Sequence, residues 1–120
     1  MIKKIAFTLY PVKDIARARK FYEDDLGLKA TETFGEGWIE YDLAGGCFAI
    51  TNALGDQVSP SANSGGSIAF EVDNLDELTS KLKTKGIEIK MGPMEFPVCR
   101  MTVVIDPEGN AVTLHQAKDL

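Results

Sequence analysis

The stretch that decides the fold occurs twice. Residues 7–15 read FTLYPVKDI, and sixty residues later residues 67–75 read SIAFEVDNL. A second match near the end of each half aligns DLAGG at residues 42–46 with DPEGN at residues 106–110. A fold made of two copies of one unit has a pseudo-symmetric centre on which equivalent strands converge. We therefore expect the functional site at that centre.

The first copy predicts the element order βαβββ. Asp14 is a good helix N-cap, and Gly27 stands where a left-handed residue commonly ends a helix. Between them apolar residues recur at helical spacing, namely Ile15, Ala18, Tyr22 and Leu26. Strand patterns cover residues 4–10, 29–34, 37–42 and 46–51, with Gly45-Gly46 as the turn between the last two.

The second copy predicts the same order. Asn74 with Glu77 resembles a capping box, and Gly86 ends the helix as Gly27 does in the first copy. The buried helix stripe is predicted to be Leu75, Leu78 and Leu82. Strand patterns cover residues 67–72, 87–91, 99–105 and 111–116, and residues 106–110 form a Pro- and Gly-containing turn.

Length and composition predict a single domain spanning residues 1–120. It comprises a module at 1–51, a linker at 52–66 that is rich in Ser, Gly, Asn and Pro, and a module at 67–120. The formal net charge of -5 argues against nucleic acid as a partner. It either serves solubility only or mildly favours a neutral or cationic ligand. No apolar run approaches the ~20 residues that span a bilayer, so no membrane partner is expected. With two cysteines and no signal-peptide pattern, a cytoplasmic protein is expected.

Strand alternation assigns two faces to each predicted sheet. Residues 68, 70 and 72 are large and apolar, and their neighbours Ser67, Ala69 and Glu71 are small or polar. The strands at 46–51 and 111–116 alternate in the same way. The apolar face must pack under the helices, so the other face is either the wall of a cavity or a surface open to water. We expect a cavity.

These patterns in this order resemble the vicinal oxygen chelate superfamily, which includes glyoxalase I, extradiol dioxygenases and bleomycin resistance proteins. The resemblance rests on Val12–Ile15, Phe21-Tyr22, Leu26–Leu28, Ile68–Leu75 and Asp106–Asn110. It implies an α+β fold, in which two βαβββ modules form a curved mixed sheet around a central cavity. It also implies a homodimer.

The metal-dependent members of that superfamily place a His in the first strand of each module and a Glu in the last strand of one or both. Carried over by position, those sites are Phe7, Ala49, Ser67 and Thr113 in this chain. None is a His or a carboxylate, and hydroxyls are poor ligands beside them. His115 is the only histidine of the chain. We therefore expect no metal and no other cofactor.

Several polar and aromatic side chains share the predicted cavity face, and each has a structural alternative. His115 is either a base or hydrogen-bonding group or a strand-end residue at the rim, and Glu71 is either a cavity carboxylate or solvated. Trp38 stacks on a ligand or packs at a subunit interface, and Arg100 binds an anionic group or pairs with Glu36 or Glu40. The repeat aligns Arg100 with Glu36 and Thr102 with Trp38, which predicts that Arg100 shares this face. The predicted ligand-binding set is Phe7, Leu9, Trp38, Glu40, Ala49, Thr51, Ser67, Ala69, Glu71, Arg100, Thr113 and His115.

The leading hypothesis is a metal-free small-molecule-binding protein of the bleomycin-resistance type. One alternative is a glyoxalase- or dioxygenase-like enzyme, which would use metal-free acid/base catalysis or a metal held by shifted residues such as Glu40, Glu71 and His115. Another is a degenerate regulatory or interaction module. The sequence does not decide whether the two modules of one cavity come from one chain or two.

We predict that the protein is a homodimer in solution, because open sheet edges and an apolar surface need a cover. Light scattering coupled to size exclusion should give twice the mass of one chain across a dilution series. The mass of a single chain at every concentration would contradict this expectation.

Overall fold

The computed structural model describes residues 1–119, with the side chain of Gln57 excepted. The chain forms two compact units, one spanning Met1–Pro60 and the other beginning at Ser61. Each is a four-stranded mixed sheet with one helical segment, which confirms the α+β class and the two βαβββ repeats. No helix within residues 1–119 is long and apolar enough to cross a bilayer.

The first unit has the strand order β1-β4-β3-β2, with β1 parallel to β4 and the other pairs antiparallel. Its elements are β1 (Thr8–Pro11), α1 (Ile15–Arg19), a π-helical continuation (Lys20–Asp25), β2 (Glu32–Thr33), β3 (Trp38–Leu43), β4 (Gly46–Thr51) and a 3-10 turn (Gly55–Gln57). The predicted strands at 4–10 and 29–34 are thus shorter than expected, whereas 46–51 is confirmed.

Asp14 and an aromatic cluster hold the helix of the first unit on its sheet. The Asp14 carboxylate accepts a hydrogen bond from the Arg17 backbone N–H at 3.0 Å, as an N-cap should. Below the helix, the rings of Tyr22 and Phe48 lie 5.0 Å apart, and Tyr41 stacks 6.0 Å from Phe48. These rings are 0–1% exposed, so they form the core that fixes the sheet face under the helix.

The second unit repeats this topology with the order β5-β8-β7-β6. Its elements are β5 (Ile68–Glu71), α2 (Leu75–Thr84), β6 (Glu88–Glu95), β7 (Cys99–Ile105) and β8 (Ala111–Ala117). Again the first and last strands pair in parallel and the others antiparallel. The predicted strand at 99–105 is confirmed, and β6 extends four residues beyond the predicted 87–91 through two register shifts.

Asn74 starts α2 in a variant of the predicted capping box. Its side-chain oxygen accepts from the Glu77 backbone N–H at 3.1 Å, and its amide nitrogen donates to the Glu77 carboxylate at 3.1 Å. Leu75 and Leu82 are fully buried, as predicted, whereas Leu78 is only half-buried and Thr79 takes its place in the core. The Thr79 hydroxyl is hydrogen-bonded to that of Thr102 at 3.0 Å, which satisfies two buried polar groups together.

The turn at residues 106–110 is structural, as the sequence indicates. Asp106 is only 3% exposed, and its Oδ1 accepts from the backbone N–H groups of Glu108 and Asn110 at 2.9 and 2.8 Å. The Asn110 side chain in turn accepts from the Ser61 N–H at 3.0 Å. The Asp106 carboxylate therefore stabilises the backbone of the turn between β7 and β8.

We predict that Gly92→Ala destabilises the second unit more than Gly109→Ala does. Both glycines have strongly positive φ angles, +105° and +100°. That conformation alone costs a non-glycine residue about 1–2 kcal/mol. A Cβ on Gly92 would also lie 2.5 Å from the Met101 carbonyl oxygen, whereas a Cβ on Gly109 meets nothing within 4 Å.

Chemical denaturation of the two variants and the wild type measures the difference. The free energy of unfolding should fall by about 1–2 kcal/mol for Gly109→Ala and by clearly more for Gly92→Ala. Equal losses would show that β6 moves away from Met101 without cost, and would contradict the packing described for this strand.

Candidate ligand-binding faces

In the first unit, the sheet face opposite the helix carries an aromatic corner and a carboxylate. Phe7 precedes β1 and contacts Trp38 of β3 edge to face, with ring centroids 5.5 Å apart and planes at 88°. The Trp38 indole N–H donates to the Glu40 carboxylate at 2.9 Å. Phe7 is 40% exposed and the other two residues are half-buried. The arrangement thus presents an aromatic surface with a fixed negative charge beside it.

The β4 residues of this face are covered and structurally engaged. Ala49 is 0% exposed and pairs with the half-buried Leu9 and with Glu40 in the flanking strands. Thr51 is 1% exposed, and its hydroxyl donates to the Gly37 carbonyl at 2.6 Å and accepts from the Ala53 N–H at 2.9 Å. The Thr51 hydroxyl therefore tethers the ends of β3 and β4.

Cys47, on the same face, is not an activated nucleophile. Burial and a hydrogen bond with Asp42 raise the pKa of its thiol, and the Glu40 and Asp42 carboxylates act in the same direction. Reactive cysteines need a positive environment that lowers this pKa. We therefore assign Cys47 a structural role in the sheet.

In the second unit, the corresponding face is more polar and more open. Ser67, which precedes β5, is exposed, as are Ala69 and Glu71 of β5, and Thr113 and His115 of β8 are half-buried. The hydroxyls of Ser67 and Thr113 lie 3.3 Å apart, within hydrogen-bonding distance. Strand parity thus places five of the six predicted residues of this unit on one face, all but Arg100, and β7 adds Met101 and Val103 beside them.

Glu71 and His115 are direct cross-strand neighbours in the parallel β5/β8 pair. The imidazole Nδ1 lies 2.5 Å from Glu71 Oε1, and Glu71 Oε2 accepts from the Ala117 backbone N–H at 2.8 Å. The Ala117 N–H and then the His115 side chain lower the pKa of the Glu71 carboxyl. Glu71 is therefore a carboxylate at neutral pH, and it anchors the ring.

Arg100 lies on the opposite, helix-packed face, which corrects the phase predicted for β7. Its guanidinium forms a bidentate pair with Asp76 of α2, with both distances 2.9 Å, and its Nε lies 2.6 Å from Glu95. Hydrogen bonding to this guanidinium lowers the pKa of Asp76. Neither Glu36 nor Glu40, the partners suggested by the sequence, is involved in these contacts.

The physical reason is a one-residue shift in the repeat alignment. Trp38 pairs with Thr51, two residues beyond Ala49, whereas Met101 pairs with His115, two residues beyond Thr113. The counterpart of Trp38 is therefore Met101, and not Thr102, which is fully buried under α2. The predicted ligand-binding set therefore lacks Met101 and Val103. Pairing β7 with β8 so that Met101 lies opposite His115 and Val103 opposite Thr113 identifies both residues.

The residues at the superfamily's metal-ligand positions do not fit a divalent metal. Phe7 and Ala49 carry no donor atom, and the neutral hydroxyls of Ser67 and Thr113 are hydrogen-bonded to each other. Within residues 1–119, moreover, no group of three or more His, Cys, Asp or Glu side chains is placed to hold a metal ion. No metal chemistry is therefore assigned to these positions.

Comparison with known proteins identifies relatives along almost the whole chain. Lactoylglutathione lyases from Salmonella typhimurium and Escherichia coli O157:H7 are 27% and 26% identical over 97% of this chain and 94% of theirs. Two solved structures share the fold. An antibiotic binding protein from Streptomyces has a TM-score of 0.77 at 22% identity, with 98% of each chain covered. A glyoxalase/dioxygenase from Nostoc punctiforme has a TM-score of 0.79 at 18% identity, with 98% of this chain and 92% of its own covered.

The family assignment follows from the extent of the sequence match. A model of the Glyoxalase/Bleomycin resistance protein/Dioxygenase superfamily matches residues 4–114, which include every strand of both units up to the middle of β8. The βαβββ repeat and the solved structures agree with that match. The chain therefore belongs to the Glyoxalase/Bleomycin resistance protein/Dioxygenase superfamily.

Proposed function

We propose that this protein binds a small organic molecule without a divalent metal. The molecule binds on the sheet faces opposite the helices, which we call the helix-free faces. The observation that carries the proposal is the residue set Phe7, Ala49, Ser67 and Thr113 at the superfamily's metal-ligand positions. Two of these side chains offer no donor atom, and the other two are neutral hydroxyls paired with each other. Binding must then rest on aromatic, polar and charged contacts.

The first unit supplies chemistry suited to a planar, uncharged or cationic group. Trp38 is an aromatic platform, and Phe7 buttresses it edge to face. Glu40, held by the indole N–H at 2.9 Å, places a negative charge at the edge of that platform. A cation over an aromatic face with a carboxylate close by is stabilised by both groups. The formal net charge of -5 favours the same class of ligand.

The named relatives support two different activities. The Streptomyces protein of the same fold is an antibiotic binding protein, which agrees with ligand binding as the function of this chain. The curated relatives are lactoylglutathione lyases, and their similarity over 97% of this chain favours a lyase as the second candidate. The residues at the metal-ligand positions favour binding over that chemistry.

We predict that the protein, purified without chelators, carries no stoichiometric Zn, Ni, Fe or Mn. Elemental analysis by mass spectrometry tests this directly. A parallel assay with methylglyoxal and glutathione, with Zn²⁺ or Ni²⁺ added, should form lactoylglutathione no faster than buffer alone. One tightly held metal ion per chain, or metal-dependent lyase activity, would refute the proposal and establish the second candidate.

We also predict that 1-methylquinolinium binds with a saturable change in intrinsic fluorescence, because Trp38 is the only tryptophan of the chain. The uncharged isostere 1-methylnaphthalene serves as the matched ligand. Glu40→Gln keeps an acceptor for the indole N–H but removes the charge. It should weaken binding of the cation about five- to tenfold, which corresponds to ~1 kcal/mol, and leave the isostere unaffected.

Calorimetric titration of Trp38→Leu provides the control that does not depend on fluorescence. This variant should lose measurable affinity for both compounds while its melting temperature stays close to that of the wild type. If the wild type binds neither compound saturably, the assignment of this aromatic corner as a ligand site is refuted. Equal affinity of Glu40→Gln for the cation would remove the carboxylate from the proposal.

A further inference from the structure

We infer that Glu71 and His115 form a metal-independent general-base site for a small uncharged molecule that carries an acidic C–H or O–H group. This activity goes beyond ligand binding, because it assigns a proton transfer to one face of the second unit. It uses residues that lie outside the four metal-ligand positions. His115 is the catalytic base in this proposal, and Glu71 is the residue that positions it.

The hydrogen bond between Glu71 and His115 determines the tautomer of the neutral imidazole. A carboxylate can only accept, so the Nδ1 that lies 2.5 Å from Glu71 Oε1 carries the hydrogen. The neutral ring then has its lone pair on Nε2, which is the atom that takes up a proton. The second oxygen of Glu71 is held by the Ala117 backbone N–H at 2.8 Å, so the carboxylate does not rotate freely. A base oriented by a fixed hydrogen-bond acceptor is the arrangement that general-base catalysis needs.

The dyad is reachable and stands in suitable surroundings. The side chains of His115 and Glu71 are 31% and 59% exposed, so a small molecule can approach the ring. Met101 of β7 is the cross-strand partner of His115, and it supplies an apolar, uncharged neighbour. The hydroxyls of Ser67 and Thr113 lie on the same face and can donate to a negative charge that develops on the substrate.

Within residues 1–119, the strands beside His115 place no charged side chain other than Glu71 on its face. Glu88 of β6 lies on that face opposite Ile105, at the far end of β7 from Met101. Among the described residues of β5, β7 and β8, Glu71 is the one charged side chain on this face, as strand parity shows. Arg100 belongs to the opposite face, where it binds Asp76 and Glu95, and Lys118 completes that network with its ammonium 2.7 Å from Glu95. Within β5, β7 and β8, the Glu71–His115 pair therefore has no other charged neighbour on its face.

The first unit has no equivalent of this pair. The positions that correspond to Glu71 and His115 are Pro11 and Thr51, which are also cross-strand neighbours. Pro11 has no ionisable group, and the Thr51 hydroxyl is hydrogen-bonded to the backbone of Gly37 and Ala53. The two halves have therefore diverged at this position, with an acid–base pair in one half and a structural contact in the other.

The probe 5-nitro-1,2-benzisoxazole tests for such a base with no metal and no co-reactant. His115 Nε2 takes the proton from C3, and the electron pair of the C3–H bond forms the third bond of a nitrile. The ring N–O bond breaks and its electron pair stays on oxygen, which gives 2-cyano-4-nitrophenolate. The imidazolium then returns its proton to water, so atoms and charge balance.

Initial rates are measured with a chelator present for the wild type, His115→Gln and Glu71→Gln. The wild type should exceed the rate of free imidazole at equal concentration by about tenfold or more, within the range that a positioned base contributes. His115→Gln removes the only imidazole of the chain and should fall to the buffer rate. Glu71→Gln should lose about tenfold or more of the enhancement, because it no longer fixes the acceptor tautomer.

Nitrogen-15 spectra of the single imidazole provide a readout that a merely structural Glu71 would not move. The neutral wild-type ring should show the Nδ1–H tautomer, and Glu71→Gln should shift the population towards the Nε2–H form while its circular dichroism stays native. The inference is overturned if the wild type is no faster than free imidazole, if His115→Gln keeps the activity, or if Glu71→Gln changes neither tautomer nor rate. The metal analysis and the Trp38 titrations do not depend on His115, so failure here leaves the proposed function standing.

Discussion

Alternation of side chains along the strands is the constraint on which the rest of this structure depends. Each four-stranded sheet has one helical segment, so only one of its two faces can be buried under a helix. In the first unit that face is aromatic, with Tyr22, Tyr41 and Phe48 in mutual contact. In the second it is mostly aliphatic, with Val104, Val112 and Leu114 fully buried. Every second residue is thereby assigned to the other face, where the candidate functional residues lie.

The two helix-free faces have diverged from a common plan. The first unit places an indole, a phenyl ring and a carboxylate there, and its β4 residues Ala49 and Thr51 are buried. The second keeps small or polar residues and an imidazole–carboxylate pair. Residues that share a position in the repeat thus have different chemical roles. The lack of metal donors at four positions and the pairing of Glu71 with His115 are separate features of the same scaffold.

Sequence reasoning predicted the features that depend on local rules. The caps at Asp14 and Asn74, the positive-φ glycines at 27 and 86, and the turn at residues 106–110 all follow from short-range backbone chemistry. Strand parity within a single strand was predicted equally well, and it placed Glu71 and His115 on a common face. Their direct contact required the register of β5 against β8, which no turn between these strands specifies.

Errors arose where two strands had to be aligned through a weak repeat. The repeat places Arg100 on the ligand face because it aligns β7 with β3 one residue out of register, and such a shift moves every side chain to the opposite face. The bidentate contact with Asp76 depends on how α2 packs, which periodicity does not reveal. The sequence also does not predict the hydrogen bonds of the Thr51 hydroxyl with Gly37 and Ala53, because they depend on the path of the chain after β4.

The helix-free face of the second unit is available to a ligand and is not part of the packed core. Ala69 of β5 lies in the middle of that face, between Ser67 and Glu71, and is exposed. The most direct measurement is the free energy of unfolding of Ala69→Trp by chemical denaturation, because forcing a large side chain into a filled core costs about 1–3 kcal/mol or more. We expect a value within ~0.5 kcal/mol of the wild type. A loss of several kcal/mol would show that this face is packed core and is not open to a ligand.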